Sequence, residues 1–451
     1  MKTESIDKKA ALEETSLKKT YSSSLCLCIT TYKRWKVIKD FLDNCASYYL
    51  DAGIDIYIYD SSDDSETKRV LEEWWDKNQE RVYYIHMPTE LHANMKVYKI
   101  WQFYGFKSQY DFVWMSGDSF QLSKRAVEIV MSNLKSNYDM IELDVFDRGD
   151  IGCKLYTQPN ELFVEDAYKL TMFGTVILNT HTILSDVDWK YYETRYSQPK
   201  LINYSHVSFC FNRAAELNDF QCLHLPLANE FKLSEYKTVS GWKRETFSVI
   251  CDGWVTTIKE MPSVYSDRKK VTLDLGIKAI LRDAYMFCEL KYEGVYNIHV
   301  FLKYFWAWRK VCNVSYWELL IIASFPGETV KLFLNRKASG KLRKFARKYK
   351  FLYLYGAGIV GERWGQYLLQ NGIDYAGYVV TRISENKTMI NNHSVIELDE
   401  LERNGDIGII VSVSERLSGE VMEKLWEYGY GKQVYYCGDV NRWIKILMKK
   451  R

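Results

Sequence analysis

The sequence predicts an α/β protein with two sheet-forming parts joined by helices. Three observations carry that prediction. Apolar runs at 25–29, 56–59, 82–85 and 111–115 alternate with segments of helical periodicity, and most end in polar clusters. A second alternation of the same kind begins at residues 351–355. Between the two, residues 266–345 read as a helical connector. Continuous rather than alternating apolar runs suit strands buried on both faces.

Residues 1–24 are polar, lack the apolar core of a signal peptide and are expected to form a leader. The first strand, 25–29 (LCLCI), runs into Thr30-Thr31-Tyr32-Lys33-Arg34, and a helix is expected over 35–49. Gly53 breaks the pattern before the second strand, 56–59. That strand ends at Asp60 and a Ser/Asp cluster, in which Asp64, Ser65 and Glu66 crowd the first turn of the next helix. A third strand, 82–85, leads through a loop to a helix near 93–106. The fourth strand, 111–115, ends at Ser116-Gly117-Asp118-Ser119. This βαβαβαβ order predicts a mostly parallel sheet with helices on both faces, with ligands at the C-terminal strand edge. Further strands are expected at 139–145 and 176–178, and a helix over 205–217.

Composition narrows the class. The 451 residues are 47% apolar and 26% charged, ordinary globular usage. Ten cysteines occur without a CxxC pair, which favours reduced thiols in the cytoplasm over a disulfide frame or a zinc site. No apolar run reaches the ~18 residues of a spanning helix. Net charge is +3, but residues 331–350 hold nine Lys/Arg and residues 441–451 hold five, with no acid in either stretch. With those fourteen set aside the remainder carries −11. Concentrated cations of this kind can meet anionic lipid or nucleic acid. Interleaved Trp and Leu favour lipid, and no nucleic-acid partner is expected.

Residues 25–120 resemble the nucleotide-sugar half of the family 2 glycosyltransferases, which have the GT-A fold. The matching pieces are Thr31-Tyr32-Lys33-Arg34, Asp60-Ser61-Ser62-Asp63-Asp64-Ser65-Glu66-Thr67, His92-Ala93-Asn94-Met95-Lys96, and, in place of an Asp-x-Asp metal motif, Ser116-Gly117-Asp118-Ser119-Phe120. The resemblance implies a donor site made of Thr30, Thr31, Tyr32, Arg34, Asp60, Ser61, Asp63, Asn94, Lys96, Asp118 and Ser119. In chemical terms, Asp60 or Asp63 can accept from a uracil imide, and Tyr32 can stack on the base or pack in the core. Arg34 or Lys96 can face the diphosphate. Asp118 can hold Mg²⁺ or Mn²⁺ against the leaving diphosphate. Ser61 and Phe120 stand where the family pattern has carboxylates, which leaves a metal-independent variant open.

Residues 121–265 are expected to complete this domain and hold the acceptor. Gly174 falls at an aromatic–Gly turn like one that lines the cleft in the family. An inverting transfer needs one base at the acceptor hydroxyl. Asp252 is the first candidate, with Trp254 as a sugar platform and Asp166 and Glu245 as rivals. The helical connector carries eight aromatics within 296–317 and a basic helix over 328–349, both suited to a membrane interface or to interdomain packing.

Residues 346–440 predict a separate Rossmann-like α/β domain. Its first strand, 351–355, meets Gly356-Ala357-Gly358-Ile359-Val360-Gly361, a GxGxxG at a strand–helix junction. Thr381 stands where an acid would hold an NAD ribose, so NAD is not expected, and a nucleotide phosphate or a structural role remains for the loop. A basic tail, 441–451, closes the chain. The resemblance implies an inverting glycosyltransferase that moves a sugar from a UDP-type donor to a bacterial surface glycan or lipid-linked acceptor. It would be cytoplasmic and peripheral on the inner face of the membrane. A Rossmann oxidoreductase or epimerase and a non-catalytic binding scaffold are the alternatives. Oligomeric state is left open.

Overall fold

The computed structural model describes residues 24–75, 81–91, 93–107, 109–135, 137–146, 152–234, 236, 244–383, 388–402, 404–413, 415–436 and 444. The expected leader and basic tail therefore lie outside the described residues, apart from Ser24 and Ile444. The chain divides into two compact units, 1–279 and 280–451.

The first unit is built on an eight-stranded sheet. Its strands in chain order are β1 (Leu25–Thr31), β2 (Asp55–Asp60), β3 (Val82–His86) and β4 (Phe112–Gly117). β5 (Phe120–Leu122), β6 (Met140–Asp144), β7 (Lys154–Tyr156), β8 (Val176–Asn179), β9 (Cys222–Pro226) and β10 (Phe231–Leu233) follow. The sheet order is β3-β2-β1-β4-β8-β6-β9-β7, and β5 pairs with β10 in a separate ribbon. The four strands predicted first are all parallel, whereas β8 runs antiparallel to both β4 and β6. The α/β expectation holds, with a parallel-rich sheet. The short strands β5, β7, β9 and β10 were not predicted. Each spans only three to five residues, so periodicity gives little signal.

The core explains the parallel half. Leu25, Leu27 and Ile29 of β1, Ile56 and Ile58 of β2 and Phe112 and Trp114 of β4 are buried together with Ile38, Phe41 and Tyr49. The helix expected over 35–49 breaks at Cys45 into Trp35–Asn44 and Ala46–Asp51. The apolar stretch over 247–258 is a π-helix, Ser248–Trp254, continued by Val255–Lys259. π-Turns often mark functional segments.

The second unit opens with helices, among them Ile298–Lys303, Tyr316–Ser324 and Gly327–Ala346. The basic helix over 328–349 corrects one expectation. Its apolar residues Val330, Ala338, Leu342 and Phe345 are buried, so that stripe packs inside the unit and is not offered to a membrane. A second sheet follows, from β11 (Phe351–Tyr355), β12 (Gly377–Val380), β13 (Met389–Ile390), β14 (His393–Glu397), β15 (Ile407–Val411) and β16 (Val434–Tyr435). The order is β13-β14-β12-β11-β15-β16, parallel except for β13.

Candidate functional site

Strand register brings the predicted residues to one edge. Thr31 pairs with Asp60, and Thr30 pairs with Gly117, so the ends of β1, β2 and β4 meet there. The turn after β1 is unusual, because Lys33 has a φ of 52°, left-handed for a residue with a Cβ. It is held by a bond from the Lys33 amide to Ser62 Oγ (2.7 Å) and an ion pair from Lys33 Nζ to exposed Asp63 (2.8 Å).

Asp118 is buried and engaged on both oxygens. Oδ1 faces Arg34 Nη1 at 2.6 Å, and Oδ2 accepts from Thr31 Oγ1 at 2.9 Å. Asp60 is wholly buried too. Its Oδ1 accepts from the Ser62 amide (2.9 Å) and hydroxyl (2.6 Å), and its Oδ2 from Tyr84 (3.2 Å). That corrects the reading of Asp60 as a base-reading acceptor, since it fastens the turn after β2. Asp63, on the exposed rim, keeps that possibility. Thr30 Oγ1 lies 3.5 Å from the Ser116 carbonyl, and Ser119 accepts from the Ser234 amide through its carbonyl at 3.0 Å.

Lys96 is the unusual group. It is only 6% exposed, and its ammonium bonds to Ser61 Oγ, a neutral hydroxyl. Among the described residues it has no ion-pair partner. Burial pushes its pKa down, and Asp60 offsets this from beyond ion-pair distance. Its Nζ sits 5.5 Å from the ring centre of Tyr32, which is 44% exposed. Tyr32 is therefore not core, and its ring stands open beside a buried cation.

The donor set was tested against a hard divalent ion. Such an ion takes one or two carboxylates besides the phosphates. Here each Asp118 oxygen already meets one partner, Arg34 or Thr31, and both Asp60 oxygens are engaged by Ser62 and Tyr84. Phe120 is buried against Trp114, Phe231 and Gly174. A metal at Asp118 would share that carboxylate with the Arg34 guanidinium.

On the acceptor side, Asn94 Nδ2 donates to the Asn203 carbonyl at 3.1 Å. Asn203 and Tyr204 in turn pack against Gly253 of the π-helix. Half-buried Asp252 sits beside that glycine, so contacts link its turn to the helix bearing Asn94 and Lys96. Trp254 is a correction. It is fully buried, its ring meets Tyr204, and its Nε1 points at the carbonyls of Val271 and Thr272 (3.4 and 3.2 Å), so no face is open to a sugar. Gly174 is a second correction. It is buried with φ +109°, a Cβ there would lie 2.6 Å from the Phe120 ring, and its carbonyl accepts from Trp114 Nε1 at 2.9 Å. Its role is packing. Of the rival bases, Glu245 is exposed and Asp166 is enclosed in an ionic cluster.

That cluster was not foreseen. Lys169 Nζ meets Asp144 (2.8 Å) and Asp166 (2.7 Å). His224 Nδ1 meets Glu142 (3.0 Å) and Asp166 (3.5 Å), and Tyr156 donates to Asp166 at 2.6 Å. Burial alone would lower the His224 pKa, but its bonds to Asp166 and Glu142 carry it up to about 10. Burial drives Glu142 up to about 8, against the pull of His224. Burial would raise Asp166, yet bonds from His224, Lys169 and Tyr156 hold it well below the usual carboxylate range. Glu142, Asp166 and His224 offer ligand atoms within 4.8 Å of one another, a set able to hold a divalent ion if the proton on His224 were displaced. The only local signal was a pair of acids, Glu142 and Asp144, two apart in an apolar strand.

His206 was also missed. It is buried, its ring lies 4.5 Å from that of Phe173, and burial brings its pKa down to about 4. Neither ring nitrogen makes a geometrically sound hydrogen bond among the described residues.

In the second unit the glycine loop is formed as expected. Gly356 has φ +117°, and a Cβ on Gly361 would overlap the Gly356 carbonyl, whereas a Cβ on Gly358 would meet open space. These are the turn, packing and open-backbone roles of such a motif. Thr381 Oγ1 is bonded to Tyr355 at 2.6 Å.

No family model matches the chain, and no curated protein matches its sequence. Among solved structures it is similar to the mannosyltransferase PcManGT from Pyrobaculum calidifontis in complex with GDP-Man and Mn²⁺. That similarity has 12% identity and a TM-score of 0.38, covering 67% of this chain and 86% of that one. It is similar to S. aureus TarS 1–349 at 12% identity and a TM-score of 0.34, over 59% and 75% of the chains. It also resembles glucosyl-3-phosphoglycerate synthase from Mycobacterium tuberculosis in complex with Mn²⁺, UDP and phosphoglyceric acid. There the identity is 10% and the TM-score 0.35, over 53% and 80% of the chains. With TM-scores below 0.5, these likenesses leave function to be argued from the site itself.

Proposed function

We propose that this chain is a glycosyltransferase that moves a sugar from a nucleotide diphosphate, of UDP type, to a hydroxyl acceptor. The observation that carries the reading is Lys96. A buried ammonium without a carboxylate partner is costly, and a diphosphate at the ends of β1, β2 and β4 would supply the missing counter-charge. Tyr32 beside it offers a ring face for a base. Arg34 has a buried Nε without a hydrogen-bond partner among the described residues, so it can keep Asp118 and still donate to phosphate.

The acceptor oxygen attacks the anomeric carbon from the face opposite the diphosphate, and the new C–O bond forms as the sugar–phosphate bond breaks. The electron pair leaves with the diphosphate, where Lys96 and Arg34 meet the growing charge. The acceptor proton passes to a base, for which Asp252 is the candidate, and the anomeric centre inverts. Asp118 is the residue that would hold a Mg²⁺ or Mn²⁺ ion, which would supply further neutralisation of charge on the leaving diphosphate. The acceptor proposed is a bacterial surface glycan or its lipid-linked precursor, reached from the cytoplasmic side. The open backbone at Gly358 could take a nucleotide phosphate in the second unit. No helix among the described residues is long and apolar enough to cross a membrane.

The test is a panel of UDP-, GDP- and dTDP-sugars followed by release of the nucleoside diphosphate. Hydrolysis or transfer of one donor, lost in Asp252→Asn with nucleotide binding kept, is expected. Tight binding without turnover would favour the scaffold reading, and no binding of any nucleotide would overturn the proposal.

A further inference from the structure

The aromatic stretch 296–317 divides in the structure. Tyr296, Phe301, Tyr304 and Trp308 are buried and form the core of the second unit's helices, with Phe287 meeting Tyr296 and Trp308. The remainder points out. Trp306 is 83% exposed and Trp317 75%, with Leu302, Phe305, Ile321 and Phe325 also exposed. Globular surfaces carry scattered apolar residues freely, but a contiguous set this rich in large side chains marks an interaction site.

Ring and hydrogen-bond contacts join Phe305, Trp306 and Tyr316. The Phe305 ring lies 5.2 Å from Trp306 and 4.9 Å from Tyr316, and the Tyr316 hydroxyl donates to the Phe305 carbonyl at 2.7 Å. Tyr316 precedes Trp317 at the start of helix Tyr316–Ser324. Along that helix Leu319, Ile322 and Ala323 face inward, so Trp317 and Ile321, with Phe325 just past its end, form an outer stripe at four-residue spacing.

Charge narrows the choice of occupant. Lys303, Arg309 and Lys310 are exposed within the same stretch, and Arg309 lies 5.2 Å over the Tyr316 ring. Between residues 298 and 325 the sequence has one acid, Glu318, and it is occupied in a capping box with Ser315. Indoles that protrude this far, in a stretch with exposed cations, match the interfacial zone of an anionic bilayer. There Trp sits at headgroup depth and Lys or Arg meets lipid phosphate.

We infer that the face made by Leu302, Phe305, Trp306, Trp317, Ile321 and Phe325, with Lys303, Arg309 and Lys310, docks on an anionic lipid surface. It is independent of the sugar-transfer reading and stands whether or not a nucleotide binds.

The experiment is co-sedimentation of the full chain with phosphatidylcholine vesicles containing 0 to roughly 40% phosphatidylglycerol, at low and high salt, alongside size-exclusion chromatography. The bound fraction should rise with phosphatidylglycerol and fall with salt. Trp306→Ser with Trp317→Ser should weaken binding at least ~10-fold, with an unchanged melting temperature because both side chains lie outside the core. Lys303, Arg309 and Lys310 changed together to Gln should remove the dependence on phosphatidylglycerol. Absence of vesicle binding at low salt overturns the inference, and so does binding that the double Trp variant leaves intact. A dimer dissolved by the double Trp variant, without vesicle binding, would assign the face to a second copy instead.

Discussion

Replacing Lys96 with Met separates a ligand-binding cation from a structural one. Lys96 is 6% exposed, and its ammonium has a hydroxyl partner and no carboxylate within ion-pair distance among the described residues. In the ligand-free protein its charge is therefore a cost. Met fills similar volume, so Lys96→Met should leave stability unchanged or raise it by about 1–2 kcal/mol. Nucleotide binding should move the other way. A unit charge about 4 Å from phosphate, at an effective dielectric constant of about 20, interacts by roughly 4 kcal/mol. A net charge-assisted hydrogen bond is worth about 1.5–3 kcal/mol, so UDP affinity should fall by ~10- to 10²-fold. Calorimetry with UDP and urea unfolding of the same samples read the two effects. The pH dependence has a defined sign. Burial lowers the folded-state pKa of Lys96 below 10.5, so the unfolded chain holds that proton more tightly. Stability should thus gain as pH rises from the folded pKa towards 10.5, and the variant should lose that gain. Unchanged UDP affinity, or a stability loss above about 2 kcal/mol, would refute the reasoning.

The remaining predictions concern the metal and the buried cluster. UDP should bind in excess EDTA within about threefold of its affinity with Mn²⁺, because Arg34 already occupies Asp118; a gain above tenfold with Mn²⁺, about 1.4 kcal/mol, would place an ion there. Lys169→Met should cost about 3–5 kcal/mol in urea unfolding, since it leaves Asp144 and Asp166 buried without their shared cation; a loss under 1 kcal/mol would show that the cluster is solvated. His224 is raised from 6.5 to about 10, so its contribution is complete below pH 6.5 and is lost as pH climbs through about 10. Glu142, raised to about 8, acts in the same direction above its ordinary range. Urea midpoints should fall between pH 7 and 9 and fall less in His224→Gln; a flat profile in the parent protein would contradict the raised pKa values of His224 and Glu142.

The sequence by itself determined the strands that frame the site. β1, β2, β3 and β4 are continuous apolar runs ended by polar residues, and that signal is local. It likewise placed the glycine loop after β11, where φ above zero restricts residue 356 to Gly and close backbone approach restricts residue 361. Only the tertiary structure decided what the site residues do. Arg34 meets Asp118 across 84 residues, and Lys96 meets Ser61 across 35. Neither pairing leaves a trace in spacing, and one of them sets a guanidinium against the carboxylate expected to hold a metal. Burial reassigned Trp254 and Gly174 from the acceptor to the core. The Lys169–His224 cluster draws on β6, β7, β9 and the segment 166–169, so no window of sequence contains it. The eight aromatics of 296–317 read alike in sequence, but packing sends some inward and leaves others in solvent. Residue type sets what a side chain can do, whereas desolvation and long-range partners, fixed only when the chain closes on itself, set what it does.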